Sequence, residues 1–243
     1  LLVRDEQNAT RCTGRPARLR HFTSGLCVTL KGMSHHLRHV MSSSGLTAMS
    51  NEKNDRRLQA ITSLMHQIGD HSSADPIRPS QLESYKAALL QLSKHVDLFS
   101  EEDFPAPTSK EIAKTYLLAE NPDAGAALYL VSILPFGPSP IHDHGTFAII
   151  AGLSGFEQNT VYARASDESG AGKATLKVDH TLELGPFDAL ALMPNDIHHI
   201  DNQHSLPTRH LHLYGTAFEH QLDRLEFDIA EQTAKIAPAM TVP

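Results

Sequence analysis

The chain has 243 residues, 40% of them apolar, enough for one domain of ordinary size with an extra tail or at most two small domains. A formal net charge of −7, with no basic stripe interleaved with aromatics, argues against a general nucleic-acid binder, and no apolar run approaches the ~20 residues of a membrane span. Cys12 and Cys27 both lie near the N-terminus, which excludes a disulfide framework and makes a reducing, cytoplasmic compartment the default.

Charge is uneven along the chain. Residues 1–48 hold seven of the 21 Lys/Arg but only two of the 28 Asp/Glu, and they show no sustained apolar period. The chain opens on Leu1, and Met41 and Met49 offer internal starts. This segment reads as a disordered tail, an over-extended reading frame, or an Arg- and Ser-rich organelle transit peptide. The folded domain is assigned to 49–243.

From about Asn54 the pattern is helical. Leu58, Ile61, Leu64, Met65 and Ile68 recur at helical spacing, with Gly69 as a stop. Beyond Pro76 and Pro79, Ser80 can cap a second helix carrying Leu82, Tyr85, Leu89, Leu92 and Val96. Thr108-Ser109-Lys110-Glu111 has the form of a capping box and predicts a short third helix. The three helices would form an amphipathic packing layer.

After Asn121-Pro122-Asp123 the signal changes to strands. Segments 127–134, 146–153, 156–163, 174–184, 189–193, 197–201 and 209–214 are apolar or alternating, and Gly, Pro and Asp turns separate them. Residues 166–173 read as an exposed hairpin loop. Short strands at this spacing predict a sandwich or small barrel, over about 124–228.

The chemistry concentrates in two places. His142 and His144, at i and i+2, point to one face if their segment is extended, while Asp143 points away and is assigned a hydrogen-bonding role at the strand end. A third imidazole can come from Asp196-Ile197-His198-His199, where neighbouring side chains diverge and only one of His198 and His199 can face inward. Three imidazoles suit Fe, Zn, Cu or Ni and leave positions open for other ligands. His180, His204 and His220 lie near polar or turn residues and read as solvated surface groups.

Gly137, His142, His144 and Gly155, then Gly185, Pro194, His198 and Asn202, stand at the spacing of the two cupin signatures. The glutamate that cupins often carry after His-x-His is missing, since Ala148 and Ile149 stand there. Three neutral imidazoles would leave a dication uncompensated, which favours anionic ligands such as a thiolate. The order His-Asp-His, Leu153-Ser154-Gly155-Phe156-Glu157, Asp-Ile-His-x-Ile-x-Asn and Leu211-His212-Leu213-Tyr214 more closely resembles the thiol dioxygenases, over about residues 80–228. That family includes cysteine dioxygenase and the bacterial 3-mercaptopropionate dioxygenases.

The resemblance implies a mostly-β fold, a single cupin-type jelly-roll barrel with N-terminal helices packed on it. It implies a non-haem Fe(II) enzyme that inserts both atoms of O2 into a small carboxylated thiol. His142, His144 and His198 would hold the iron, His198 outranking His199 because the family's ligand is the first histidine of its His-x-x-x-Asn segment. His212 and Tyr214 would be the catalytic pair beside the thiol and oxygen positions.

Three departures bear on the substrate. Ala148 or Ile149 stands where animal enzymes have a cysteine cross-linked to the tyrosine, so no cross-link can form. Tyr116-Leu117-Leu118 supplies no carboxylate anchor where those enzymes place an arginine, whereas Arg224 fits the placement of the bacterial one. His210 replaces the serine that usually bonds the outer histidine. The expected partners are a small thiol, such as 3-mercaptopropionate or cysteine, and O2, with no nucleic acid and no membrane. Two other readings stand: a three-histidine cupin metalloenzyme, dioxygenase or isomerase, with a non-thiol substrate, and a cupin binding or regulatory protein without catalysis.

Overall fold

The computed structural model describes residues 44–69, 76–108, 111–123, 125–165 and 167–237. Cys12 and Cys27, and the expectations for residues 1–43, lie outside the described residues. Helix α1 (Ser44–Ile68) begins ten residues before the apolar period does and reaches back into the segment read as a tail. Ile61, Leu64, Met65 and Ile68 are buried as their spacing predicts, but Leu58 is 42% exposed. Gly69, at φ 66°, ends the helix, its amide donating to the Met65 carbonyl at 3.0 Å.

Helix α2 (Pro79–Ser93) starts one residue before the expected cap. Arg78 is its N-cap and Pro79 occupies the first turn, where a missing N–H costs nothing. Leu82, Tyr85, Leu89 and Leu92 are buried. Val96 falls past the helix and is 46% exposed, while Leu98 and Phe99 of the 3-10 turn Val96–Phe99 enter the core instead.

The third predicted helix is not there. Glu111 N–H turns back onto the Thr108 carbonyl, and the chain then extends as strand β1 (Ala113–Glu120); Ser109 and Lys110 lie outside the described residues. Thr115 and Tyr116 suit a pleated strand, and pairing with the next strand outweighs the capping-box signal.

The remaining strands are β2 (Ala127–Ile133), β3 (Ile141–His142), β4 (Ala148–Ser154), β5 (Glu157–Arg164), β6 (Gly172–Lys173), β7 (Leu176–Leu184), β8 (Ala189–Leu192), β9 (Ile197–Asp201), β10 (Thr208–Tyr214), β11 (Leu225–Asp228) and β12 (Thr233–Ile236). They form a five-stranded sheet, β1-β2-β10-β4-β8, and a seven-stranded sheet, β6-β12-β11-β3-β9-β5-β7. Every pairing is antiparallel. This is the expected mostly-β jelly roll of two antiparallel sheets with N-terminal helices on it. The loop expected over 166–173 is exposed for much of its length, but its end pairs with β12 as β6.

The period of two divides the five-stranded sheet into two faces. Leu128, Leu130, Ile149, Ala151, Leu211 and Leu213 face outward and share one core with Met65 of α1 and Leu89 of α2. Burying each such leucine contributes about 1.5–3 kcal/mol, so this layer fixes the sheet rigidly. The opposite face carries Tyr129, Val131, Ala148, Leu192 and Tyr214 into the space between the sheets. His210 and His212 share it by alternation along β10. Gly152 permits the sheet's tight edge, since a Cβ there would lie 2.1 Å from the Gly185 carbonyl oxygen.

Candidate metal centre

The central residues of the site come from two adjacent strands of the seven-stranded sheet. His142 of β3 and His198 of β9 are direct cross-strand partners. Ser139 clamps that register: its N–H donates to the Ile200 carbonyl at 2.8 Å, and Ile200 N–H donates to Ser139 Oγ at 3.0 Å. Past His144 the chain turns sharply at Gly145 (φ 63°), whose N–H donates to the Pro194 carbonyl at 3.1 Å. That bond draws the His144 loop over the turn that leads into β9.

The three rings meet at centroid separations of 4.9 Å (His142–His144), 4.7 Å (His142–His198) and 5.1 Å (His144–His198). One nitrogen of each lies within 4.8 Å of the other two. All three are buried. His142 Nδ1 lies 2.9 Å from the Pro140 carbonyl, which can only accept, so that nitrogen carries the hydrogen and Nε2 carries the lone pair. His198 Nδ1 pairs with Asn159 Oδ1 at 3.0 Å. His198 Nε2 and His144 Nδ1 are buried without a hydrogen-bond partner, a costly state for a ring nitrogen unless something binds it. Three inward imidazoles, two of them with a buried nitrogen left without a partner, fit a divalent first-row metal ion.

Burial also holds the histidines neutral. Desolvation and the neighbouring histidine and arginine charges keep His142 and His144 well below the usual imidazole range, and His198 is pushed down to about 3. A neutral imidazole is the form that ligates metal.

His199 points the other way, its Nδ1 2.9 Å from the Tyr162 hydroxyl. Asp143 turns from the triad as expected, accepting the Leu225 N–H at 2.8 Å, and burial raises its carboxyl to about 6. Of Ala148 and Ile149, Ala148 is the one that faces the interior, and no carboxylate joins the three histidines among the described residues. His180, His204 and His220 are exposed.

Tyr214 stacks over His144 at 5.4 Å between centroids and sits in an aromatic nest with Phe218 and Tyr129. Its hydroxyl shares a 2.8 Å hydrogen bond with His212 Nδ1, and burial raises the phenol far above its ordinary range. The His210 and His212 rings lie 6.1 Å apart, and both His210 nitrogens lack a hydrogen-bond partner. His210 thus does not take over the serine's hydrogen bond here.

Arg224, just before β11, is buried, and β11 pairs with β3 so that Glu226 lies opposite His142. The positive guanidinium depresses all three triad histidines and stabilises ionised Tyr214, which places it within electrostatic reach of the whole site. Its ion pair with Glu226, at 3.8 Å, is too long for a hydrogen bond. Tyr116 instead faces the helical layer, its hydroxyl donating to the Pro105 carbonyl at 2.7 Å.

Glu157, Asn159 and Tyr129 were not singled out as site residues from the sequence, although all three are fully buried around the histidines. A glutamate and an asparagine two apart on a strand beside the motif were the available signal.

Neither the protein families nor the curated proteins compared with this chain give a match. Among solved structures the likeness is low. The Lactobacillus farciminis oxalate decarboxylase in its formate complex is 18% identical, over 45% of this chain and 30% of that one, with a TM-score of 0.34. A recombinant oxalate oxidase in complex with glycolate is 12% identical over 46% and 56%, with a TM-score of 0.37. A conserved protein of unknown function from Streptococcus pyogenes is 10% identical over 48% and 83%, with a TM-score of 0.34. The chain spans only 30% of the first decarboxylase's length. Among the described residues, no helix is long and apolar enough to cross a membrane.

Proposed function

We propose that this protein is a non-haem Fe(II) thiol dioxygenase that converts a small carboxylated thiol, 3-mercaptopropionate- or cysteine-like, to its sulfinate. The observation that carries the reading is the convergence of a carboxylate-free histidine triad, the His212–Tyr214 pair and the Arg224 charge on one interior. The reaction balances without a further reductant: one thiol and one O2 give one sulfinic acid. Bound by His142, His144 and His198, iron would supply the site at which thiolate and O2 meet, while the four electrons that reduce O2 come from the thiol sulfur.

The chain's own groups do the rest. Three neutral ligands leave the ion's double charge to be met by an anion, which selects a thiolate. Arg224 presents a planar, charged donor suited to a carboxylate, and so orients the substrate's far end. Tyr214 packs its ring beside that of His144 in an aromatic nest, and with His212 donating Nδ1–H to the phenol oxygen the hydroxyl hydrogen is free to be given to substrate or oxygen.

Oxygen uptake by Fe(II)-loaded protein tests the reading against 3-mercaptopropionate, L-cysteine, cysteamine and mercaptosuccinate. Uptake with a carboxylated thiol is expected; none with any of them, at one iron per chain, returns the site to a three-histidine cupin with another substrate. Arg224→Ala is expected to raise KM for carboxylated thiols roughly 10- to 100-fold, the value of one charged hydrogen-bonded contact. An equal effect on cysteamine would remove the carboxylate-anchor role. Tyr214→Phe should keep the metal and slow turnover roughly 10- to 100-fold, the usual cost of losing such a partner; an unchanged kcat would exclude Tyr214 from the reaction.

A further inference from the structure

Behind the histidine triad lies a second buried layer that the proposed chemistry does not use. Glu157, Asn159 and His210 are all fully enclosed. A carboxylate in such a place is costly unless it is hydrogen-bonded. Glu157 Oε1 accepts from Asn159 Nδ2 at 3.1 Å, and Oε2 lies 3.5 Å from His210 Nδ1. Asn159 Oδ1 in turn faces His198 Nδ1 at 3.0 Å.

These contacts force a sequence of choices. The Glu157 oxygen facing Asn159 is an acceptor, so the asparagine must turn its NH2 toward it. Asn159 then has only its carbonyl oxygen left for His198. His198 must therefore carry its hydrogen on Nδ1, which leaves the lone pair on Nε2. That Nε2 is the nitrogen buried without a partner. With Asn159 turned the other way, its NH2 would face Nδ1, and the hydrogen would move to Nε2 and block it.

We propose that Glu157 is a positioning residue of the metal centre: through Asn159 it locks His198 in the tautomer whose Nε2 lone pair faces the triad. His210 Nδ1 stands 3.5 Å from the other carboxylate oxygen without a hydrogen bond to it, so Asn159 is the hydrogen-bonded partner through which Glu157 acts. The inference rests on the three-histidine site and holds whatever the substrate.

Co(II), added alone to metal-free protein and followed by its visible absorption, is the probe. Glu157→Leu and Asn159→Leu are each expected to weaken Co(II) binding roughly 10- to 100-fold, and the double variant no further than the weaker single, because both act through one hydrogen bond. Glu157→Gln keeps an acceptor toward Asn159 and is expected to bind within a few-fold of the parent. If leucine prevents folding, the exchange Glu157→Gln with Asn159→Asp preserves shape and acceptor, and it too should bind within a few-fold. Unchanged Co(II) affinity in Glu157→Leu, additive losses in the double variant, or a loss of about tenfold in the exchange pair would each overturn the proposal. His142→Ala separates the two ideas: retained Co(II) binding there would sink the triad itself, whereas loss there with full binding in Glu157→Leu sinks only the role of Glu157.

Discussion

Replacing His142 with alanine is expected to remove metal binding and thiol oxidation together while leaving the fold in place. The triad offers three imidazoles and no carboxylate to compensate for the loss of one. A four-ligand zinc site is worth about 10–16 kcal/mol, so one imidazole is worth about 3 kcal/mol and its loss roughly 100-fold or more in affinity. The backbone pairing of β3 with β9 does not involve the imidazole. Metal analysis after dialysis, alongside a thermal melt, checks the result. Stoichiometric iron in a folded His142→Ala protein would show that the ligand set is wrong.

Acid is expected to unfold the metal-free protein early. His142, His144, His198, His210 and His212 are all buried, and burial holds each below the ordinary imidazole value of 6.5. A depressed histidine refuses in the folded state a proton that the unfolded chain accepts. Its stabilising contribution is therefore complete above pH 6.5 and is lost as the pH falls toward the folded value. For His198, displaced to about 3, the full loss is on the order of 5 kcal/mol.

Asp143 works in the opposite sense. Its carboxyl is raised to about 6, so it gains stability as the pH falls through that value. One carboxyl set against five histidines does not reverse the trend. Since whole domains are stable by about 5–15 kcal/mol, denaturant midpoints should drop steeply between pH 6.5 and 4.5. Added metal should move the transition to lower pH, because it competes with protons for the same nitrogens. A flat stability over that interval would contradict the neutral, buried state of these imidazoles.

How much of this was legible follows from what each signal encodes. His142 and His144 could be paired from the sequence because strand periodicity puts i and i+2 on one face. The choice of His198 over His199 needed a resemblance. In the structure it follows from register, which sets His198 against His142 and gives His199 to Tyr162. The regular strands stood out where apolar residues alternate between turns.

Of the five strands of two to four residues, β8 is legible in the apolar run 189–193, whereas β3, β6, β11 and β12 carry no readable period and are fixed by pairing with strands far along the chain. Arg224 reaches the site only because β11 docks on β3. Thr108–Glu111 shows a local cap signal losing to long-range sheet pairing. Glu157 and Asn159 stayed hidden for another reason. Alternation over 156–163 marks a strand but does not say that its polar side is the buried one, and Phe156 is left 44% exposed.

The measurement that bears most directly on the central claim is the isotopic mass of the product made from a carboxylated thiol by Fe(II)-loaded protein under heavy-isotope O2. The proposed reaction predicts a sulfinate with both oxygens labelled, formed one per O2 consumed and absent with His142→Ala. A product carrying one label or none, or oxygen consumed only in making disulfide, would contradict it.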